Sequence, residues 1–381
     1  MFRQLPQAAG YLIIFALPAL LIFGTATGLY WLAAVSLFGV SPLLRALFGD
    51  ADPFAVEWRE SLSKFLHFLP VIYAVLFLFS IGYVAWTLHQ RGELLVHEWL
   101  ALGASLWATF LTATPPAHEL LHRTEKTSQR LGRIVLGVAG YPVLSLEHPG
   151  HHQSKITRGE WAYAAENVYV YTVRQWRDVI RRTLERDQLL RSRVKVSFFR
   201  GELSEALSVT FATGAIFTIA SGLPGLLVYV ALIGLMIFGI QLLTYIQHWG
   251  LGGQIEDGNE RVYGWEDGCK LQGWLTLNLA FHDAHHRNSS LQFYRLTLFE
   301  GSPRLPAGYV VLMVAALVPP LWRGLMEPAL HHWTTNQHRP IAPGRRLICI
   351  NLKTLQELGT EISAPGSSQN PSTPASLANR D

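Results

Sequence analysis

The chain has 381 residues, of which 50% are hydrophobic and only 15% charged, with a formal net charge of +4; its mean hydropathy is +0.21. Length alone would suit two or three soluble domains, but this composition already strains a soluble reading. Apolar stretches approaching or reaching the roughly 17–25 residues that cross a bilayer indicate an integral membrane protein instead.

Six such stretches follow one another at residues 11–22, 28–48, 68–88, 94–114, 206–223 and 224–246. The first two form one nearly unbroken apolar run, interrupted by Gly24, Thr25, Thr27 and Gly28. These turn and breaker residues predict a tight hairpin of two helices. Arg3 ahead of an apolar run could also mark a secretory signal, but no small-residue cleavage site followed by polar sequence appears, so the segment is expected to stay. Six spans put both termini on one side.

Between the fourth and fifth stretches, residues 123–200 carry fifteen Lys and Arg, among them Arg123, Arg133, Arg174, Arg182 and Arg191. Such a loop is expected to be cytoplasmic. The opposite loops, near Thr25, Gln90 and Gly222, are very short and hold little charge beyond Arg91. The basic run therefore reads as an orientation signal in contact with anionic lipid headgroups, not as a nucleic-acid surface. Docking of an acidic electron-transfer protein is an added role for it. Localisation in the inner cell membrane follows, with both termini and any site in this loop on the cytoplasmic face.

Nine of the fifteen histidines fall into three clusters and one singlet at the predicted cytoplasmic ends of the spans. The first cluster is His118-Glu119-Leu120-Leu121-His122, whose spacing of four puts both imidazoles on one helix face. Next come Glu147-His148-Pro149-Gly150-His151-His152 and, nearer the C-terminus, His282-Asp283-Ala284-His285-His286, both of the form H-x-x-H-H. Adjacent histidines do not share a helix face, so each doublet can serve two metals, or one metal at a bend. His248 stands alone in Tyr245-Ile246-Gln247-His248-Trp249-Gly250 at the end of the sixth stretch.

One structural zinc saturates with four ligands and would leave five histidines idle, whereas two metals use them all. Imidazole suits iron, copper and zinc alike. An oxygen-activating iron pair is favoured because the site opens onto the membrane interior, where the available substrates are unreactive hydrocarbon chains. Glu119, Glu147 and Asp283 lie beside the clusters and could orient ligand rings by accepting their outer N–H; the alternative is simple solvation. His67, His89, His97, His331, His332 and His338 show no comparable grouping. The string H-E-x-x-H at 118–122 also fits a zinc protease helix, but a protease leaves the two H-x-x-H-H clusters without purpose.

Cys269 and Cys349 both fall in segments expected to be cytoplasmic, so no disulfide is predicted. After Pro343 the composition shifts, giving a membrane-embedded domain with a cytoplasmic cap over residues 1–343 and a tail over 344–381, expected to be disordered from about Ser363.

These motifs resemble the membrane-bound alkane hydroxylases, within the fatty-acid desaturase and hydroxylase superfamily. The first cluster followed by Arg123 resembles that family's H-E-L-x-H and basic residue, and the singlet segment is similar to its N-Y-x-E-H-Y-G. Tyr294-Arg295-Leu296, Leu305-Pro306-Ala307-Gly308-Tyr309 and Pro319-Pro320-Leu321-Trp322 look like its closing segment. The resemblance implies an all-α membrane fold of six helices and a di-iron site with O2 as co-substrate. It also implies electrons from rubredoxin or a ferredoxin-type donor and its reductase. The ligands it implies are His118, His122, His148, His151, His152, His248, His282, His285 and His286.

Three departures bear on the reaction. The second box is one residue shorter than the alkane hydroxylase form, Gln247 stands where Glu is usual, and Ala280-Phe281 replaces Gln-Arg. The expected activity is hydroxylation of a terminal or benzylic C–H of a hydrophobic, alkane-like substrate, with desaturation or oxidative decarboxylation of a fatty acid as the alternative. A non-enzymatic metal carrier or sensor is the other class, and it would spread ligands along a path through the spans. Trp86 and Trp107 are candidates for setting the depth of a substrate channel, the competing role for each being an anchor at the membrane interface.

Overall fold

A computed structural model describes residues 4–51, 56–151, 162–252, 254–256, 259–261, 263–299 and 301–335, with backbone only for 149–151, 254–256 and 259–261. The expected tail at 344–381, with Cys349, and His338 lie outside the described residues.

The first helix, α1 (Gln4–Thr27), contains a tighter 3-10 stretch at Tyr11–Phe15 and stops where Gly28 takes a left-handed φ of 83°. That conformation is inexpensive only without a Cβ, so the predicted hairpin turns there. α2 (Leu32–Phe48) returns, with a π-turn at Ser36–Val40. The Ser105 hydroxyl donates to the Tyr30 carbonyl at 2.6 Å and accepts from the Ala34 N–H at 3.1 Å. These bonds satisfy backbone groups loosened by the turn and tie the hairpin to α4 (Val96–Leu121).

Between them runs α3 (Glu60–Arg91), 32 residues long, or about 48 Å at 1.5 Å per residue. At its end the Arg91 guanidinium donates to the Tyr30 hydroxyl at 3.1 Å and to the Ala26 carbonyl. The α1–α2 turn and the C-terminus of α3 therefore share one end of the bundle. Short helices α5 (Lys126–Val138) and α6 (Leu144–His151) follow, and then α7 (Val168–Val194), whose N-terminal amides at Tyr169 and Val170 are capped by the Asn167 side chain. Close approach sets the packing of α5. A Cβ on Gly132 would lie 2.8 Å from the Ala117 carbonyl, and one on Gly137 would lie 2.9 Å from Val209.

α8 (Glu202–His248) is one hydrogen-bonded run of 47 residues broken at Ser221 and Gly222, where φ/ψ leave the helical region. Two apolar segments joined at this break correspond to the predicted fifth and sixth stretches, with the break just ahead of the expected boundary. Three described helices are long and apolar enough to cross a membrane, α1, α3 and α8, and α2 is a shorter apolar one. The predicted fourth stretch lies in α4, which has the length but also carries His97, Glu98, His118 and Glu119.

The remaining elements form a cap at the end of α8. They are a two-stranded antiparallel ribbon, β1 (Gln254–Glu256) with β2 (Asn259–Arg261), then α9 (Lys270–Leu275), α10 (His282–Arg287), α11 (Tyr309–Ala316) and α12 (Pro319–Thr335). The ribbon adds a strand pair to the otherwise all-helical fold expected. It is formed by 254–261, a polar stretch that the apolar-span reading passes over. Cys269 is buried and free, and its amide donates to Asp267 at 3.1 Å.

Candidate metal centre

Four segments far apart in the chain bring their histidines together where α4, α6, α8 and α10 end. α4 supplies His118 and His122 one turn apart, just beyond Pro115 and Pro116. Leu277 and Asn278 take positive φ values of 49° and 58° ahead of α10, a region unfavourable for a non-glycine side chain. Asn278 offsets that cost by donating to the Tyr11 hydroxyl at 2.7 Å and the Phe293 carbonyl at 2.9 Å. The turn aims the six-residue α10 at the end of α8. Gly264 lets it approach, since a Cβ there would lie 2.7 Å from the His282 ring.

The described imidazoles sort into two groups. His118, His122, His148 and His285 form one, and His248, His282 and His286 the other, with the ligating atoms of each group within 4.8 Å of one another. The doublet at the end of the third cluster is thus divided: His285 faces the first group, while His286, one turn from His282, faces the second. His151 and His152 fall where no side chain is described.

In the first group the Nε2 atoms of His118, His122 and His148 stand 2.5, 3.0 and 3.2 Å apart. In the second, His282 Nε2 is 2.9 Å from His248 Nε2 and 3.0 Å from His286 Nε2. Imidazole nitrogens about 2.1 Å from one shared ion and roughly at right angles would be about 3 Å apart. The donor set therefore fits a metal in each group, and a single ion satisfies all the converging lone pairs. His248 Nδ1 lies 3.2 Å from the Tyr263 carbonyl, a contact that reserves Nε2 for the metal. Burial pushes His122 down to about 4. It is neutral at pH 7, the form that ligates.

The three candidate carboxylates each meet an arginine. Glu147 is 3.3 Å from Arg182, Asp283 is 3.0 Å from Arg287, and Glu119 feels Arg123 and the Phe293 amide. Burial still raises Glu119 to about 7. Sequence reasoning missed Glu266. It is fully buried, accepts the Ala284 amide at the start of α10 at 2.9 Å and pairs with Arg304. Burial raises its carboxyl to about 8 despite Arg304. Acidic residues at 266 and 267 within an aromatic stretch were the available signal.

A cavity of about 110 Å³ touches both groups, with His118, His148, His248 and His282 on its wall beside Gln241, Thr244 and Gln247. A second cavity, about 100 Å³ and largely apolar, is lined from α2, α4, α9 and α11 by residues including Phe38, Leu111, Leu275 and Met313. Leu243, Gln247 and Leu279 belong to both walls. Trp107 lines neither, but stacks behind Phe38 with ring centroids 5.3 Å apart. Trp86 is 57% exposed on α3, beside Tyr83. His331 and His332 lie on α12 and belong to neither group.

A family model described as fatty acid desaturase matches residues 94–314. The chain is 29% identical over 325 residues to an alkane 1-monooxygenase of Pseudomonas putida, covering 80% of this chain and 79% of that protein. Alkane 1-monooxygenase 2 of Pseudomonas aeruginosa is 25% identical over 346 residues, covering 83% and 88%. The xylene/toluene monooxygenase hydroxylase component of Pseudomonas putida is 21% identical over 258 residues, covering 63% and 66%.

Proposed function

Because the chain belongs to the fatty acid desaturase family, within its alkane hydroxylase branch, we propose that it is a membrane-bound di-iron monooxygenase acting on a terminal or benzylic C–H of a hydrophobic substrate. The observation that carries this reading is the pair of histidine groups bordering a cavity that adjoins an apolar one. The seven grouped imidazoles, with His151 and His152, would hold the metals. Two irons bound there would supply O2 activation and removal of hydrogen from an unreactive C–H. One oxygen atom enters the C–H bond and the other leaves as water, with two protons and two electrons from a rubredoxin or ferredoxin-type donor.

The chain's own residues hold and shield the substrate. The apolar cavity admits the hydrocarbon, and Leu243, Gln247 and Leu279 mark its passage into the chamber beside the imidazoles. Neither cavity has a Lys or Arg among its described lining residues, which favours a neutral chain over a fatty-acid carboxylate. Convergence of the ligands at one level, not along a path, speaks against a metal carrier. The six apolar stretches of the sequence and the arginines of α7 support placement in the inner membrane with the termini and the metal site cytoplasmic. Residues 1–343 would form this membrane domain, and 344–381 the tail.

The test is product analysis. Membranes supplied with 18O2, an electron donor and an alkane, an alkylbenzene or a fatty acid should yield terminal or benzylic alcohols carrying one label. New double bonds without label would assign the scaffold to desaturation.

Chain length is the next expected result. Removing the ring behind Phe38 gives that side chain room to move out of the apolar cavity, so Trp107→Ala should shift turnover toward longer chains with iron content unchanged. Trp86→Ala, on the outer face, should leave the chain-length profile as it is. Identical profiles for wild type and Trp107→Ala would remove Trp107 from the substrate path.

A further inference from the structure

The chamber beside the histidines is more polar than a bare hydrocarbon requires. Thr114, Tyr141, Gln175, Gln241 and Thr244 all reach its wall. Gln241 is 1% exposed, and its Nε2 donates to the Tyr141 hydroxyl at 2.8 Å. Its Oε1 is buried and has no hydrogen-bond partner among the described residues. Turning the amide over exchanges the two ends without curing the defect, because the end away from Tyr141 is then a donor lacking an acceptor. A buried amide left so is unfavourable, and a hydrocarbon filling the chamber would keep it so. A hydroxyl satisfies either orientation, since it both donates and accepts.

Position on α8 sets the distance. Gln241 and His248 are seven residues apart in uninterrupted helix, hence on nearly the same face and about 10 Å apart along the axis. An extended carbon chain of about eight bonds spans that interval. Among the described residues, the only acid or base on the chamber wall apart from the histidines is Glu147, already facing Arg182, so a neutral group is accommodated and an anionic one is not.

We infer that Gln241 is a substrate-recognition residue and that the preferred substrate carries a neutral hydroxyl about eight bonds from the carbon that is oxidised. This rests on the monooxygenase reading and narrows its substrate class from hydrocarbons to hydrophobic alcohols. The reaction on a 1-alkanol is insertion of one oxygen atom of O2 into the far C–H. The second atom is reduced to water by two electrons from the redox donor with two protons, and the product is an α,ω-diol. A hydroxyl satisfying a buried amide is worth about a factor of ten in selectivity.

The experiment uses the iron-loaded full chain in lipid nanodiscs with an electron donor, and competes n-alkanes against 1-alkanols of six to twelve carbons. Wild type should favour 1-octanol over n-octane about tenfold in kcat/KM, with the 1-alkanol optimum near eight carbons. Gln241→Met, close in volume but apolar, should abolish the preference, and Gln241→Asn should move the optimum. Octane-1,8-diol should raise the thermal midpoint of wild type and not that of Gln241→Met. Octane oxidised as well as octanol by wild type, or a preference surviving in Gln241→Met, would overturn the inference alone, leaving water as the chamber's polar occupant. If wild type oxidises neither substrate while holding two irons, the monooxygenase reading falls and takes this inference with it.

Discussion

Purified in lipid, the protein should hold close to two irons per chain with zinc substoichiometric, and His248→Ala should lower the iron content to about one. The second group has three described imidazoles, and His248 is the member oriented by a backbone contact, its Nδ1 3.2 Å from the Tyr263 carbonyl and its Nε2 2.9 Å from His282 Nε2. Its removal leaves two described ligands on a helix of only six residues. Loss of an orienting partner alone typically costs ten- to a hundredfold in affinity or activity, so loss of a ligand should reduce turnover by more than about a hundredfold. The adjacent pair His285 and His286 provides an internal contrast. His286→Ala should release the same metal as His248→Ala, whereas His285→Ala should weaken the site that keeps His118, His122 and His148. Elemental analysis and iron spectroscopy on the three variants separate these outcomes. One tightly bound zinc and no iron in the wild type would defeat the di-iron assignment.

Arg45→Ala should destabilise the protein by about 3–5 kcal/mol, because it strands a buried carboxylate. Arg45 in α2 and Asp267 ahead of α9 are 4% and 0% exposed, and the guanidinium bonds both carboxylate oxygens. Gly308 packs directly on the guanidinium, where a Cβ would lie 2.7 Å from Arg45 Nε. The pair joins the membrane hairpin to the cap that carries the third histidine box. Its loss should lower the thermal midpoint in detergent by roughly 5 °C. Replacing both partners by apolar residues, Arg45→Met with Asp267→Leu, should restore much of the loss, since neither charge is then left buried alone. Equal midpoints for wild type and Arg45→Ala would mean that the ion pair contributes nothing to holding the cap.

The comparison of sequence with structure divides along the range of the interactions. Apolar runs of helical length, the hairpin turn near Gly28 and the break near Gly222 were all legible, because each depends on hydrophobic patterning or on the backbone freedom of one residue. His118 with His122 was legible as a pair too, because a spacing of four fixes a helix face whatever surrounds it. Partners across the chain were another matter. The separation of His285 from His286 into different groups depends on how α10 meets the ends of α4 and α8. The link from Glu266 to the Ala284 amide spans 18 residues, and that from Arg45 to Asp267 spans 222. Trp86 and Trp107 looked equivalent in the sequence, yet one faces outward and the other backs Phe38. The unpartnered end of Gln241 likewise became visible only once α8 had closed against Tyr141. The sequence by itself determined the membrane character and the stock of candidate metal ligands, since composition and local periodicity encode them directly. Only the tertiary structure decided which histidines stand together and what lines the chamber beside them, because those depend on long-range packing that no local pattern specifies.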